Sequence, residues 1–156
     1  MSLFNVDVGD EVRPSFQSER WMECTLPIGL VLLEGGVIGV IASKVFQVEP
    51  WVLALISAAP MFANLSSFLW NKLSLAKKKV QFASYLQLGV LICLLIVALS
   101  PVNQLGVVML VTSMIASRIL LAGFVTVRSV VWSLNYARDI RAQATGQLQM
   151  LSLIHI

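Results

Sequence analysis

The chain has 156 residues, of which 58% are hydrophobic and 12% charged. A soluble domain carries about 25% charged residues, so halving that share while apolar runs of about 20 residues recur excludes an ordinary soluble domain and indicates an all-α polytopic membrane protein. Net charge is +3 and the pI about 9.1, but the basic residues sit at the ends of apolar runs, which makes them topology determinants and not a nucleic-acid surface.

Residues 1–23 read as a polar, flexible cytoplasmic tail in which Asp7, Asp10, Glu11, Glu19 and Glu23 outnumber Arg13 and Arg20. They hold no apolar signal-peptide core. A partial transmembrane bundle is predicted over 24–150. Its first span covers about 24–46 and carries Gly35, Gly36 and Gly39, small residues that let another helix approach closely. Glu34 lies near its middle, where a carboxylate is costly and faces a cavity or a partner. Lys44 snorkels to the interface.

A short turn at 47–50 leads to span 2, about 51–70, with Trp51 and Trp70 as interface anchors. Pro60 is predicted to kink it. Asn64, Ser66 and Ser67 give its second half a polar stripe, suited to interhelical hydrogen bonds or to ligand contact. The stretch from Trp70 to Lys79 holds Lys72, Lys77, Lys78 and Lys79 between two apolar runs. Span 3, about 80–99, keeps its polar groups near its start and reads as a lipid-facing support helix. An uncharged turn at 100–104 precedes span 4, about 105–127. Arg118 lies within that span, too deep for easy snorkelling, and Arg128 closes it. A polar break at 136–141 precedes a fifth helix from about 142.

Outside the spans, basic residues gather in the tail, the 70–79 loop and the segment after span 4; Lys44 is the exception. This asymmetry places the N-terminus, residues 70–79 and residues 128–141 in the cytoplasm, and the turns 47–50 and 100–104 on the far side. Cys24 and Cys93 lack metal-ligand spacing and read as small packing residues.

Three stretches together resemble the major facilitator superfamily of transporters, over nearly all of residues 20–150. Ser67-Phe68-Leu69-Trp70-Asn71-Lys72-Leu73-Ser74 with Lys77 and Lys78 is similar to the family's loop between spans 2 and 3, Gly-x-Leu-x-Asp-Arg-x-Gly-Arg-Lys. Asn71 stands where the family has an acid, and Ser67 and Ser74 where it has glycines. Arg118 to Gly123 resembles the family's Arg-x-x-x-Gly of span 4, with Ala122 at the expected glycine position. Asn135 to Gly146 is similar to the loop between spans 4 and 5.

The resemblance implies the N-terminal part of a secondary transporter of the cytoplasmic membrane, working by alternating access, with the C-terminal half of the same protein as its missing partner. It implies a substrate or coupling-ion cavity at Glu34, Arg118 and Asn64, and a gating loop at Asn71, Lys72, Lys77 and Lys78. Glu34 and Arg118 come out at depths within about 5 Å of each other in a core of about 30 Å. Titration of Glu34 would couple transport to protons; uniport is the other option. The expected partners are the bilayer and a small solute, with no cofactor, metal or nucleic acid. Leu151 to Ile156 match one reading frame of a sequencing-library transposon end and read as a non-native tail, which leaves His155 without a role. The alternative is a complete four-span scaffold or interaction protein. A membrane enzyme ranks last, because the sequence shows no catalytic constellation.

Overall fold

A computed structural model describes residues 13–14, 16–17, 19–20, 33, 36–75 and 77–154. The elements described are helices: α1 (Val37–Lys44), α2 (Pro50–Leu65), α3 (Ser67–Ser74), α4 (Lys79–Ala98), α5 (Gln104–Asn135) and α6 (Arg138–Ile154). No strand occurs among the described residues. Among the same residues two helices, α4 and α5, are long and apolar enough to cross a membrane, and the bent pair α2 and α3 makes a third if it counts as one span. The predicted span 1 is represented by α1; its first part, with Cys24, Glu34 and Gly35, lies outside the described residues.

The chain forms two compact units, Gly36–Ser129 and, separately, Met1–Gly35 with Val130–Ile156. In the first, α1 ends where Gln47 takes a left-handed backbone, φ 48°. Glu49 is then extended ahead of Pro50, as a residue preceding proline prefers. Pro50 occupies the first turn of α2, where its missing N–H costs nothing. Val52, Ile56, Ala59 and Ala63 form the buried stripe of α2 at helical spacing.

The helix continues through Pro60 and breaks at Ser66, where α2 and α3 meet at 41°. The Ser66 hydroxyl donates to the Ala63 carbonyl at 2.6 Å and the Ser67 hydroxyl to the Asn64 carbonyl at 2.6 Å. Two successive hydroxyls back-bonded to carbonyls one turn earlier bend a helix without any proline. Half of the stretch read as the lysine loop is therefore helical, since α3 runs to Ser74.

α4 buries Leu86 and Val90. In its most apolar window only 17% of residues are buried, against 39% for α5, which fits its reading as a lipid-facing helix. α5 is the organising element of this unit. Gly106, Leu110, Ser113, Ser117, Phe124 and Val127 are buried at alternating spacings of three, four and seven, the pattern of one inward helix face. At 32 residues it is roughly 48 Å long, longer than predicted span 4 by its C-terminal extension to Asn135. The polar break shrinks to Tyr136 and Ala137, and the following helix starts at Arg138, ahead of the predicted 142.

The second unit has its own apolar cluster of Phe16, Trp132, Tyr136, Ala144 and Leu148, with Ile140 against it. Phe16 meets the Tyr136 ring edge-on at 6.2 Å, and the Tyr136 hydroxyl donates to the Glu19 carboxylate at 2.7 Å. These residues of the predicted flexible tail are helical and packed, because an aromatic side chain at 16 has an apolar surface to bury. Arg141 donates to the carbonyls of Ser133, at 2.7 Å, and Tyr136, at 3.0 Å. A cationic side chain thus caps the exposed carbonyls at the end of α5.

Candidate functional site

Arg118 is 8% exposed on the inward face of α5. It lies roughly 20 Å along the helix from Leu105 at 1.5 Å per residue, well inside an apolar core of about 30 Å. Met114 and Leu121 flank it one turn away on either side, both buried. Ser113 and Ser117 are buried on the same helix, at 6% and 1% exposure, about 140° and about 100° around its axis from Arg118. The Ser117 hydroxyl donates to the Met114 carbonyl at 2.8 Å, so the hydroxyl is satisfied within its own helix. A permanently charged guanidinium with five donors is suited to anions, carboxylates or carbonyl oxygens.

Sequence reading missed Ser113 and Ser117. The available signal was their spacing of four on the face that also carries Leu110 and Met114, small residues where a neighbouring helix approaches.

The other predicted site residues are placed differently. Glu34 and Gly35 lie outside the described residues. Asn64 is exposed, off the buried stripe of α2, and its carbonyl receives the Ser67 hydroxyl. Asn71 and Lys72 are exposed on α3, and the Asn71 carbonyl receives the hydroxyl of buried Ser74 at 2.9 Å. Lys77 sits 4.8 Å above the Phe82 ring, a cation–π contact at the start of α4. Lys78 is the exposed, extended residue that begins that helix.

Gly36 caps the start of α1, and among the described residues a β-carbon there would meet nothing within 4 Å. One at Gly39 would touch Leu53 Cδ1 at 3.8 Å, an ordinary contact. Close approach occurs elsewhere. A β-carbon at Gly123 would lie 2.7 Å from Cδ2 of Trp70, whose indole covers that glycine. One at Gly106 would collide with the Pro101 carbonyl oxygen and come within 3.1 Å of Phe46. One at Gly89 would come within 2.9 Å of the Leu120 side chain.

These contacts tie both ends of the unit to α5. At one end the Trp70 indole covers Gly123, donates to the Ser66 hydroxyl at 3.0 Å and meets the Phe82 ring at 6.2 Å. At the other, the turns 45–49 and 99–103 come together around a cleft of about 700 Å³. Asn103 caps α5 there by accepting the Gly106 N–H at 2.9 Å. No family model, no curated protein and no solved structure matches this chain.

Proposed function

We propose that the chain contributes the first spans of a secondary transporter of the major facilitator type, moving a small solute by alternating access across the cytoplasmic membrane. The observation that carries this reading is Arg118, buried on the inward face of a long apolar helix. A charge at such depth is expensive, and in membrane proteins it marks a substrate or ion path. Arg118 is assigned to that path. The exposure of Asn64 takes it off the path in this reading, and Glu34 stays the proposed acidic counterpart on sequence grounds.

The bent pair α2 and α3 then counts as one span, and α1 ends the first, giving four spans with α6 opening the fifth. Lys72, Lys77 and Lys78 lie on the cytoplasmic side. The family plan supplies a second bundle from the same gene, against which this one rocks.

The test is uptake or efflux of candidate solutes by the full-length gene product, with Arg118→Gln and Arg118→Lys. Arg118→Gln is expected to lower transport by about tenfold or more, equivalent to about 1.4 kcal/mol, at near-normal folded yield. Arg118→Lys keeps the charge and is expected to retain part of the activity. A folded Arg118→Gln variant that transports at the wild-type rate refutes the assignment.

A further inference from the structure

The cleft between the turns is separate from Arg118 and has its own chemistry. Its volume of about 700 Å³ is that of a ligand pocket, about 300–1,000 Å³. Its walls are apolar: Trp51, Val52 and Leu55 from α2, and Val107, Val108 and Val111 from α5. Its rim is polar: Gln47, Glu49, Asn103 and Gln104. From Gln104 to Val111 the apolar wall extends roughly 10 Å along α5. A polar rim leading into a long apolar slot fits an amphiphile lying parallel to the helices.

The rim decides which amphiphile. Glu49 is the one charged side chain among the described residues that line the cleft. Its carboxylate receives the Trp51 indole N–H and keeps lone pairs for a second donor. Trp51 is 64% exposed and offers a ring face to a cation. The Asn103 oxygen is engaged by the Gly106 N–H, which leaves the Asn103 amide nitrogen as a donor. The Gln47 and Gln104 carboxamides add neutral donors. The rim therefore supplies one anion for an ammonium and several amides for phosphate oxygens. It supplies no cation to balance a net negative headgroup.

We propose that this cleft binds a zwitterionic phospholipid from the bilayer, with its ammonium at Glu49 and Trp51, its phosphate at the Asn103 and Gln104 carboxamides, and an acyl chain between α2 and α5. Charge complementarity selects the headgroup. The apolar walls, at a turn anchored by an interfacial tryptophan, select a membrane lipid over a soluble ligand.

Native mass spectrometry of the full chain, with phosphatidylethanolamine, phosphatidylcholine and phosphatidylglycerol of identical acyl chains, tests this. The two zwitterionic lipids are expected to be retained about threefold better than phosphatidylglycerol, the scale of one partly exposed ion pair. Glu49→Gln, at an exposed position, is expected to remove that preference. Val108→Trp, which fills the slot without touching the rim, is expected to lower retention of all three lipids. Equal retention of the three lipids by wild type overturns the proposal, as does a preference that survives Glu49→Gln. Retention untouched by Val108→Trp overturns the placement of the acyl chain. Dodecyltrimethylammonium binding that depends on Glu49, without phospholipid binding, overturns it by assigning the cleft to a free cationic amphiphile.

Discussion

Replacing Gly123 by alanine tests the packing of α3 on α5. The new methyl would lie 2.7 Å from Cδ2, 2.8 Å from Cε2 and 3.0 Å from Cγ of Trp70. Carbon atoms pack at about 3.5–4.0 Å, so the indole must retreat by roughly 1 Å. It cannot do so freely. Its Nε1 is tied to the Ser66 hydroxyl at 3.0 Å, and its ring lies against Phe82. A retreat of that size stretches the hydrogen bond beyond useful length, a loss of about 1 kcal/mol. Overpacking adds about 1–3 kcal/mol, and the better helix propensity of alanine returns about 1 kcal/mol. The expected net destabilisation is about 1–3 kcal/mol. That corresponds to a fall in Tm of roughly 2–12 °C for a chain of this size, measurable by heating in detergent and following the monodisperse peak by size exclusion. The decisive comparison is a double-mutant cycle. With Trp70→Ala in place the methyl enters vacated space, so Gly123→Ala is expected to be neutral or slightly stabilising, giving a coupling of about 2 kcal/mol. Equal cost in both backgrounds would show that the indole does not cover Gly123.

Gly106→Ala is expected to destabilise more than Gly123→Ala, because its β-carbon meets the Pro101 backbone, which cannot rotate away as a side chain can; Asn103→Ala, read in the same melts, is expected to cost about 1 kcal/mol through loss of the α5 cap. Burial, and then the adjacent Glu19 carboxylate, push the Tyr136 hydroxyl above its usual range. A group whose folded value is raised contributes stability that is complete below the unfolded value of about 10 and is lost as pH rises beyond it. Melts from pH 7 to 11 are therefore expected to be flat up to about pH 10 and to fall above it, with Tyr136→Phe removing that alkaline decline. For topology, Ser74 is a poor probe because it is 1% exposed. Single cysteines at exposed Lys78 and Val102, in a chain lacking Cys24 and Cys93, are expected to react with an impermeant thiol reagent from the outside at 102 only. Outside labelling at 78 and not at 102 would invert the topology.

The apolar runs made the helices legible, since hydropathy over a window of about 20 residues reports the element directly. Their ends were less legible. α5 extends to Asn135 because Val130, Val131 and Trp132 continue its helical pattern beyond Arg128, where the apolar run alone ends. The break at Ser66 was less legible than Pro60 because it rests on two adjacent hydroxyls that act on neighbouring carbonyls. Arg118 was legible because a buried charge in an apolar run is conspicuous. The Trp70 and Gly123 contact was not, because it joins residues far apart in the chain, and neither stands out locally: tryptophan reads as an interface anchor and a single glycine as a helix position. Among the described residues, the glycines closest to a partner, Gly89, Gly106 and Gly123, are isolated in the sequence, so no local cluster marks them.

The geometry of Gly36–Ser129 also bears on the charge pattern in a way that does not depend on hydropathy. The proposed topology requires the turns 47–50 and 100–104 to share one face of the membrane and residues 70–79 to share the other with the segment after span 4. The first requirement is met by the cleft that both turns line, with Phe46 close to Gly106. The second is met up to Ser129 by the Trp70 indole on Gly123, one and a half turns before Arg128, whose guanidinium lies 5.7 Å from the Phe124 ring. Lys77 stands over Phe82 in the same group of aromatic side chains. Most of the positive charge of this unit therefore lies at one end of α5, with Lys44 and Glu49 at the other and Arg118 between them. Retention of basic residues on one side of a membrane would sort the loops in this way, with Lys44 as the exception.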